Sequence, residues 1–216
     1  MEKLTRSKDK MTIGLPSKGR PKEHVVRYLA ERGYAVPADG GRRLQTTFVD
    51  KPNHRIAFFH AKDIPVLVAQ GHLDAGFTGL DLLHETKAKV RPIIKLNLGK
   101  VKMVIAVQKN SAISHPFHLL HRQIATPFPI IAQEYFHTLR VPVTIRPIFG
   151  TSEGMAYCSC VDAIIDVSET GKTLEENELK VIADDVFDSE LVLIVNKPEH
   201  FSNHQLVHDF LRSLYD

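Results

Sequence analysis

Short β-branched runs alternate with helical patterns along almost the whole of this 216-residue chain, and that alternation restricts its fold more than any other feature. Residues 12–15, 56–59, 75–78, 89–96, 100–107, 144–149, 162–167 and 190–195 read as strands. Between them lie apolar residues at helical spacing: Val25, Val26, Leu29 and Ala30, then Ile131, Ala132, Tyr135, Phe136 and Leu139. A last helix carries Leu206, Val207, Phe210, Leu211 and Leu214 on one face. Strands alternating with helices imply an α/β fold with largely parallel sheets. Pro21 suits the first turn of the first helix and Gly33 its stop. Gly40, Gly41 and Pro52 break the stretch 36–56 into two short strands. Thr173 with Glu176, and Ser202 with Gln205, have capping-box spacing and predict two further helix starts.

The length allows one large domain or two lobes of roughly 100 residues each. An apolar fraction of 43% and a charged fraction of 25% are those of a soluble globular protein. No run of about 18 apolar residues marks a transmembrane helix. The basic residues 1–10 lack an apolar segment after them, so they read as a disordered lead-in rather than a secretory signal. A net charge of +3 without a Lys/Arg cluster interleaved with aromatics argues against a nucleic-acid partner. Two cysteines, Cys158 and Cys160, are too few for a disulfide framework and point to a reducing, cytoplasmic setting.

The strongest local signal is Asp166-Val167-Ser168-Glu169-Thr170-Gly171-Lys172-Thr173-Leu174. The apolar strand Ala163-Ile164-Ile165 delivers acidic side chains to its end, and a Gly-containing turn with hydroxyls leads into a helix. Free backbone N–H groups at such a turn form an anion site. Gly171 lets the backbone approach a phosphate, Thr170 and Thr173 donate hydrogen bonds, and Lys172 adds charge. Asp166 and Glu169 beside a phosphate suit sugar hydroxyls or Mg²⁺, so the combination fits a ribose phosphate. An ordinary capped turn has the same spacing.

Two more strand-to-helix loops share that design. Ser17-Lys18-Gly19-Arg20 places two cations ahead of a helix, and Thr78-Gly79-Leu80-Asp81 follows another strand. Gly150-Thr151-Ser152-Glu153-Gly154 can hold a further polar group. Lys100 and Lys102 straddle Val101 and would project from one face of a strand. Three such loops in one α/β chain favour a shared ligand cleft at the carboxyl ends of strands. The cysteines lack a second pair at zinc spacing, and His200, His204 and His208 read as surface histidines. Neither a Gly-x-Ser-x-Gly elbow nor a Walker loop is present.

Taken in order, these segments resemble the short form of ATP phosphoribosyltransferase, the first enzyme of histidine biosynthesis. The run from Asp162-Ala163-Ile164-Ile165-Asp166 through Glu169-Thr170-Gly171-Lys172-Thr173-Leu174 to Asn177 is similar to that family's phosphoribosyl-pyrophosphate loop, with Gly150 and Glu153 at the family's spacing upstream. Leu15-Pro16-Ser17-Lys18-Gly19-Arg20 resembles its N-terminal motif. Asp63-Ile64-Pro65 with Gly71, Asp74, Gly76, Thr78-Gly79 and Asp81 resembles its second block. Gly99-Lys100-Val101-Lys102-Met103 resembles its Gly-Arg-Cys-Arg/Lys-Leu strand. The chain departs from the pattern at His60-Ala61-Lys62, where the family has Arg-Pro or Arg-Ala, and at Thr126-Pro127-Phe128-Pro129, where it has Thr-Lys-Tyr-Pro.

The resemblance implies a two-lobed fold like type II periplasmic binding proteins, with a central cleft. Residues 1–102 and 181–216 would form domain I and residues 103–180 domain II. It further implies Mg²⁺, a homodimer, a histidyl-tRNA-synthetase-like regulatory subunit, and no room for the long form's regulatory domain. The implied reaction transfers phosphoribosyl from phosphoribosyl pyrophosphate to N1 of ATP. Glu169, Thr170, Gly171, Lys172 and Thr173 would take the 5-phosphate and Asp166 the ribose hydroxyls. Lys18, Arg20, Lys100 and Lys102 would hold pyrophosphate or nucleotide phosphates, with Gly79, Asp81 and Glu153 completing the substrate contacts. A paralogue using another purine nucleotide, and a non-catalytic small-molecule-binding protein of the same fold, are the alternatives.

Overall fold

The alternating pattern resolves, in the computed structural model, into two α/β units, and the residues described are 8–37, 44–150, 152–158, 160–169 and 171–215. Unit 1 comprises Met1–Gly99 and Glu190–Asp216, and unit 2 comprises Lys100–Ser189. The sequence reading set the divisions after residues 102 and 180. The second division falls later because one long strand keeps pairing within unit 2 as far as Ser189.

Unit 1 is built on β1 (Met11–Pro16), β2 (Gln45–Phe48), β3 (Lys51–Phe59), β4 (Ala75–Gly79), β5 (Arg91–Lys95) and, from the later segment, the strand Leu191–Val195. Its helices are α1 (Gly19–Ala30), α2 (Asp63–Ala69), α3 (Leu80–Thr86) and the final helix His204–Tyr215. Unit 2 contains β6 (Val101–Gln108), β7 (Gln123–Thr126), β8 (Thr144–Pro147), β9 (Ala163–Ser168) and β10 (Leu179–Ser189). Its helices are α4 (Pro129–Leu139), α5 (Glu153–Tyr157) and α6 (Lys172–Glu176). In chain order Leu191–Val195 is β11 and His204–Tyr215 is α7.

The first sheet runs β2-β3-β1-β4-β11-β5 and the second β10-β6-β9-β7-β8. Both are mixed rather than largely parallel. The parallel parts are β3-β1-β4 and β9-β7-β8, while β11 returns antiparallel to β4, and β6 antiparallel to β9. A strand that re-enters a sheet from the other unit needs no helical crossover within it, which frees it to run antiparallel.

Period-two burial builds unit 1 on both sheet faces. Ile13 and Leu15 of β1, Ala75 and Phe77 of β4, and Leu191, Leu193 and Val195 of β11 share one core with Leu29 of α1 and Phe210 of α7. The alternate residues Val192 and Ile194 pack on the opposite face with Ile64 and Val68 of α2. Gly14 and Gly76, register partners on that face, let α2 lie close. A Cβ on Gly14 would reach Leu73 Cδ1 at 2.6 Å, and one on Gly76 would overlap Ile64 Cγ2.

Asp74 binds three segments of unit 1 together. Its carboxylate accepts the Thr12 N–H at 2.8 Å and the Ser202 N–H at 2.6 Å, while its carbonyl accepts the Asn196 N–H at 3.2 Å. Asp74 is 1% exposed, so these bonds replace water for a buried acid.

Both helices that the capping-box spacing predicts are present, but neither is capped by the residue it named. α7 is capped by Asn203, whose Oδ1 accepts the Leu206 N–H at 3.0 Å, because Asp74 already holds the Ser202 backbone. α6 is entered through left-handed Gly171, which puts Thr173 inside the first turn. Gly40, Gly41 and residues 1–7 of the expected lead-in lie outside the described residues. The Lys8 carbonyl accepts Asn203 Nδ2 at 2.9 Å.

Candidate functional site

In unit 2 the parallel strands β7, β8 and β9 end on one edge of their sheet, and β6 starts there, since Lys102 is the register partner of Ser168. That edge therefore collects the loops expected to carry chemistry: Lys100 and Lys102, residues 126–129, the approach to Glu153, and the turn after Ser168. Thr126 Oγ1 accepts the Phe128 N–H at 2.9 Å, and Pro129 starts α4, so a local bond and the proline ring set how the chain leaves β7.

The turn after β9 is held by local bonds. Gly171 lies at φ +77 and donates its N–H to Ser168 Oγ at 3.1 Å. An added Cβ there would meet nothing within 4 Å, so glycine is required by the backbone rather than by crowding. Lys172, Thr173 and Glu169 are exposed, and Glu169 makes a polar interaction within the fold. Thr170 lies outside the described residues. With five residues, α6 has too little dipole to dominate, and its unpaired first-turn amides stand beside the exposed side chains of Lys172 and Thr173.

Asp166 at this edge is held through both carboxylate oxygens. Ser152 Oγ–H donates to its Oδ2 at 2.5 Å, and the Val167 N–H donates to Oδ1 at 2.7 Å. Burial pushes the carboxyl above its ordinary range, the Ser152 and Val167 bonds oppose that, and nearby Glu153 adds to the rise. Ser152, fully buried at the start of α5, was not singled out from the sequence. Its only signal was a hydroxyl in a Gly-rich approach to an acidic residue. Asp162, which opens the segment, has a supporting role: its carboxylate takes the Arg122 guanidinium at 3.1 Å and the Gln123 N–H at 2.9 Å, joining β7 to the entry of β9.

Lys102 is paired. Its Nζ reaches Asp184 Oδ2 on β10 at 2.8 Å, and that bond raises the lysine pKa and lowers that of Asp184. Next to it, Tyr135 Oη donates to Asp185 Oδ1 at 3.0 Å. Burial, then this hydrogen bond and charge, push the phenol upward, so it stays a neutral donor. Lys100 is exposed.

In unit 1 the same topological rule applies. β1, β3 and β4 are parallel, and their carboxyl ends release Ser17–Arg20, His60–Lys62 and Gly79–Asp81 on one sheet edge. The Ser17 N–H donates to the Phe59 carbonyl at 2.8 Å, and Thr78 Oγ1 to the Ala61 carbonyl at 2.9 Å, which fixes these loops to one another. Lys18 and Arg20 are exposed, with Gly19 at φ +75 between them. Gly79 has ordinary extended geometry, and Asp81 is buried with a polar interaction inside the fold. Among the described residues no group of three His, Cys, Asp or Glu side chains is placed to hold a metal, and no helix is long and apolar enough to cross a membrane.

A curated relative from Methanopyrus kandleri named ATP phosphoribosyltransferase is 37% identical over 186 residues, covering 86% of this chain and 65% of its own length. One of the same name from Methanosarcina acetivorans is 35% identical over 185 residues, 86% of this chain and 64% of the relative. The chain thus spans just under two thirds of these relatives. Among solved structures, the ATP phosphoribosyl transferase (HisG:HisZ) complex from Thermotoga maritima matches at TM-score 0.77 and 26% identity, over 95% of this chain and 96% of that one. Tv2483 bound to L-arginine, at 15% identity and TM-score 0.64, covers 96% of this chain and 84% of its own, and shares the fold. Together with a substrate-binding protein of an amino acid ABC transporter, at TM-score 0.60, it places the fold among periplasmic-binding-protein-like folds. The family model HisG: ATP phosphoribosyltransferase matches residues 60–216, and the chain belongs to that family.

Proposed function

We propose that the chain transfers the phosphoribosyl group of phosphoribosyl pyrophosphate to N1 of ATP, the first step of histidine biosynthesis. The observation that carries the reading is the Ser152-braced Asp166 at the end of β9, followed at once by the Gly171 turn and the hydroxyl and cation of α6. An acid that binds ribose hydroxyls beside a phosphate cradle matches a ribose 5-phosphate and no simpler anion.

In this reaction N1 of the adenine attacks C1′. The N1–C1′ bond forms, the bond from C1′ to the pyrophosphate oxygen breaks, and its electron pair leaves with pyrophosphate. No protein nucleophile is needed; positioning and charge stabilisation lower the barrier. Residues Glu169 to Thr173 enclose the 5-phosphate, with Thr170, Gly171, Lys172 and Thr173 as its donors, while Asp166 accepts hydrogen bonds from the ribose hydroxyls. Lys18, Arg20, Lys100 and Lys102 serve pyrophosphate and the nucleotide phosphates, with Gly79, Asp81 and Glu153 as further substrate contacts. Asp184 holds Lys102 until phosphate competes for it.

Mg²⁺ fits as an ion carried by the substrate. With no three-ligand cluster among the described residues, one or two carboxylates at the β9 edge plus pyrophosphate oxygens would hold it, the usual manner for this ion. It would neutralise charge on the leaving group. The activity belongs in the cytoplasm, and a homodimer with a HisZ-like regulatory subunit is the expected assembly.

Pyrophosphate release on mixing the protein with ATP, phosphoribosyl pyrophosphate and Mg²⁺ tests the reading. Release with ATP that disappears in Asp166→Asn supports it; donor binding without release for any purine nucleotide removes it.

A further inference from the structure

Unit 1 contains a cavity of about 690 Å³ that none of the proposed substrate contacts uses. It lies beside β5, the edge strand of the first sheet, and is closed by the segment that follows β11 and by α7. Its volume is within the range of small-molecule sites, about 300–1,000 Å³. Ile93, Phe201 and Leu211 supply apolar wall. Lys89, Arg91 and Lys197 stand against a single acid, Glu199, and all three cations are exposed.

The lining also includes Asn196, which is 4% exposed. Its Oδ1 accepts the Lys197 N–H at 2.7 Å, which fixes the orientation of the amide. Nδ2 is then left buried with no hydrogen-bond partner. A buried donor without an acceptor is uncommon in folded proteins and calls for a partner. A carboxylate oxygen supplies one once the bound head displaces the atoms that cover Nδ2, and Arg91 is suited to grip the same group through its planar fork.

We propose that this cavity binds a small amphipathic carboxylate, an apolar body about one aromatic ring in size with a single anionic head. The apolar wall takes the ring. Asn196, Arg91 and Lys197 take the head. The excess of cations discriminates against uncharged and cationic analogues. The site is separate from the phosphoribosyl chemistry and does not depend on it.

Calorimetric titration with 3-phenylpropionate, using 3-phenylpropanamide as the uncharged control, tests the proposal. One site per chain is expected, with the amide bound at least tenfold more weakly. The double variant Arg91→Glu/Lys197→Glu changes two exposed residues and should retain the parent's thermal midpoint while losing carboxylate binding. Saturating phosphoribosyl pyrophosphate and ATP should not displace the ligand. Equal affinity for acid and amide, unchanged binding in the double variant, displacement by the substrates, or no binding at millimolar ligand would each overturn it.

Discussion

The Ser152 hydroxyl donates to Asp166 Oδ2 at 2.5 Å while the Val167 amide holds Oδ1, so one buried serine aims the acid assigned to the ribose. Hydrogen bonds to a charged group are worth about 1.5–3 kcal/mol. Ser152→Ala should therefore weaken phosphoribosyl pyrophosphate binding roughly tenfold or more. The lost bond is one that lowers the Asp166 pKa. The acid limb of the donor-binding pH profile should accordingly move to higher pH, and Ser152→Thr should restore it in part. Calorimetric titration at several pH values checks both; an unchanged limb would separate Ser152 from Asp166.

Asp166 itself is held above its usual range by burial. A raised carboxyl pKa means the folded state binds its proton more readily than the unfolded chain does. Stability from this group is therefore greatest below the ordinary carboxyl pKa and declines as pH rises through the folded value. Asp166→Asn should leave the free protein as stable or more stable at neutral pH, yet remove donor binding, the pattern of an acid kept for function. Urea unfolding beside a binding titration measures the two effects separately.

Gly171 at φ +77 has open space around its missing Cβ. Gly171→Ala should cost about 1–2 kcal/mol of local backbone strain and little packing. A phosphate that approaches the backbone would meet the new methyl, so donor affinity should fall more than stability does. Equal donor affinity in Gly171→Ala would move the 5-phosphate elsewhere.

How much of this was legible in the sequence depended on whether a feature was local. The runs Ala163-Ile164-Ile165 and Leu193-Ile194-Val195 announced buried strands, and α1 and α7 showed their apolar faces. The direction of β11 was not readable, because antiparallel return depends on the chain coming back from the other unit. The cap of α7 was misread for a similar reason: Asp74, far away in sequence, takes the Ser202 amide and leaves Asn203 to cap. At the candidate site, Asp166, Gly171 and Thr173 were visible as one motif. The Ser152 brace and the Asp184 partner of Lys102 were not, since both come from other elements of unit 2.

Asp74 offers a test of the fold alone. Its carboxylate satisfies two backbone N–H groups that Ala would leave buried and unpaired. Asp74→Ala should lower the unfolding free energy by about 3 kcal/mol or more, measured by urea denaturation. A loss under about 1 kcal/mol would mean water replaces the carboxylate.

His54 should give unit 1 a pH dependence of opposite kind. Burial first, and Lys51 second, lower its pKa, and its Nε2 has no partner beside Tyr34 and Phe210. The neutral ring is the folded form, so its contribution is full above the unfolded pKa, about 6.5. It falls away as pH drops from there toward the folded value. His54→Phe should flatten that part of the stability curve without loss at pH 7.

The reaction with ATP is the most direct measurement. With phosphoribosyl pyrophosphate, ATP and Mg²⁺, the protein should release pyrophosphate and form an equal amount of a nucleotide carrying phosphoribosyl on N1, identified by mass and NMR, and Asp166→Asn should form none. Donor binding without product from ATP, or product that persists in Asp166→Asn, would contradict the assignment of the β9 edge as the phosphoribosyl site.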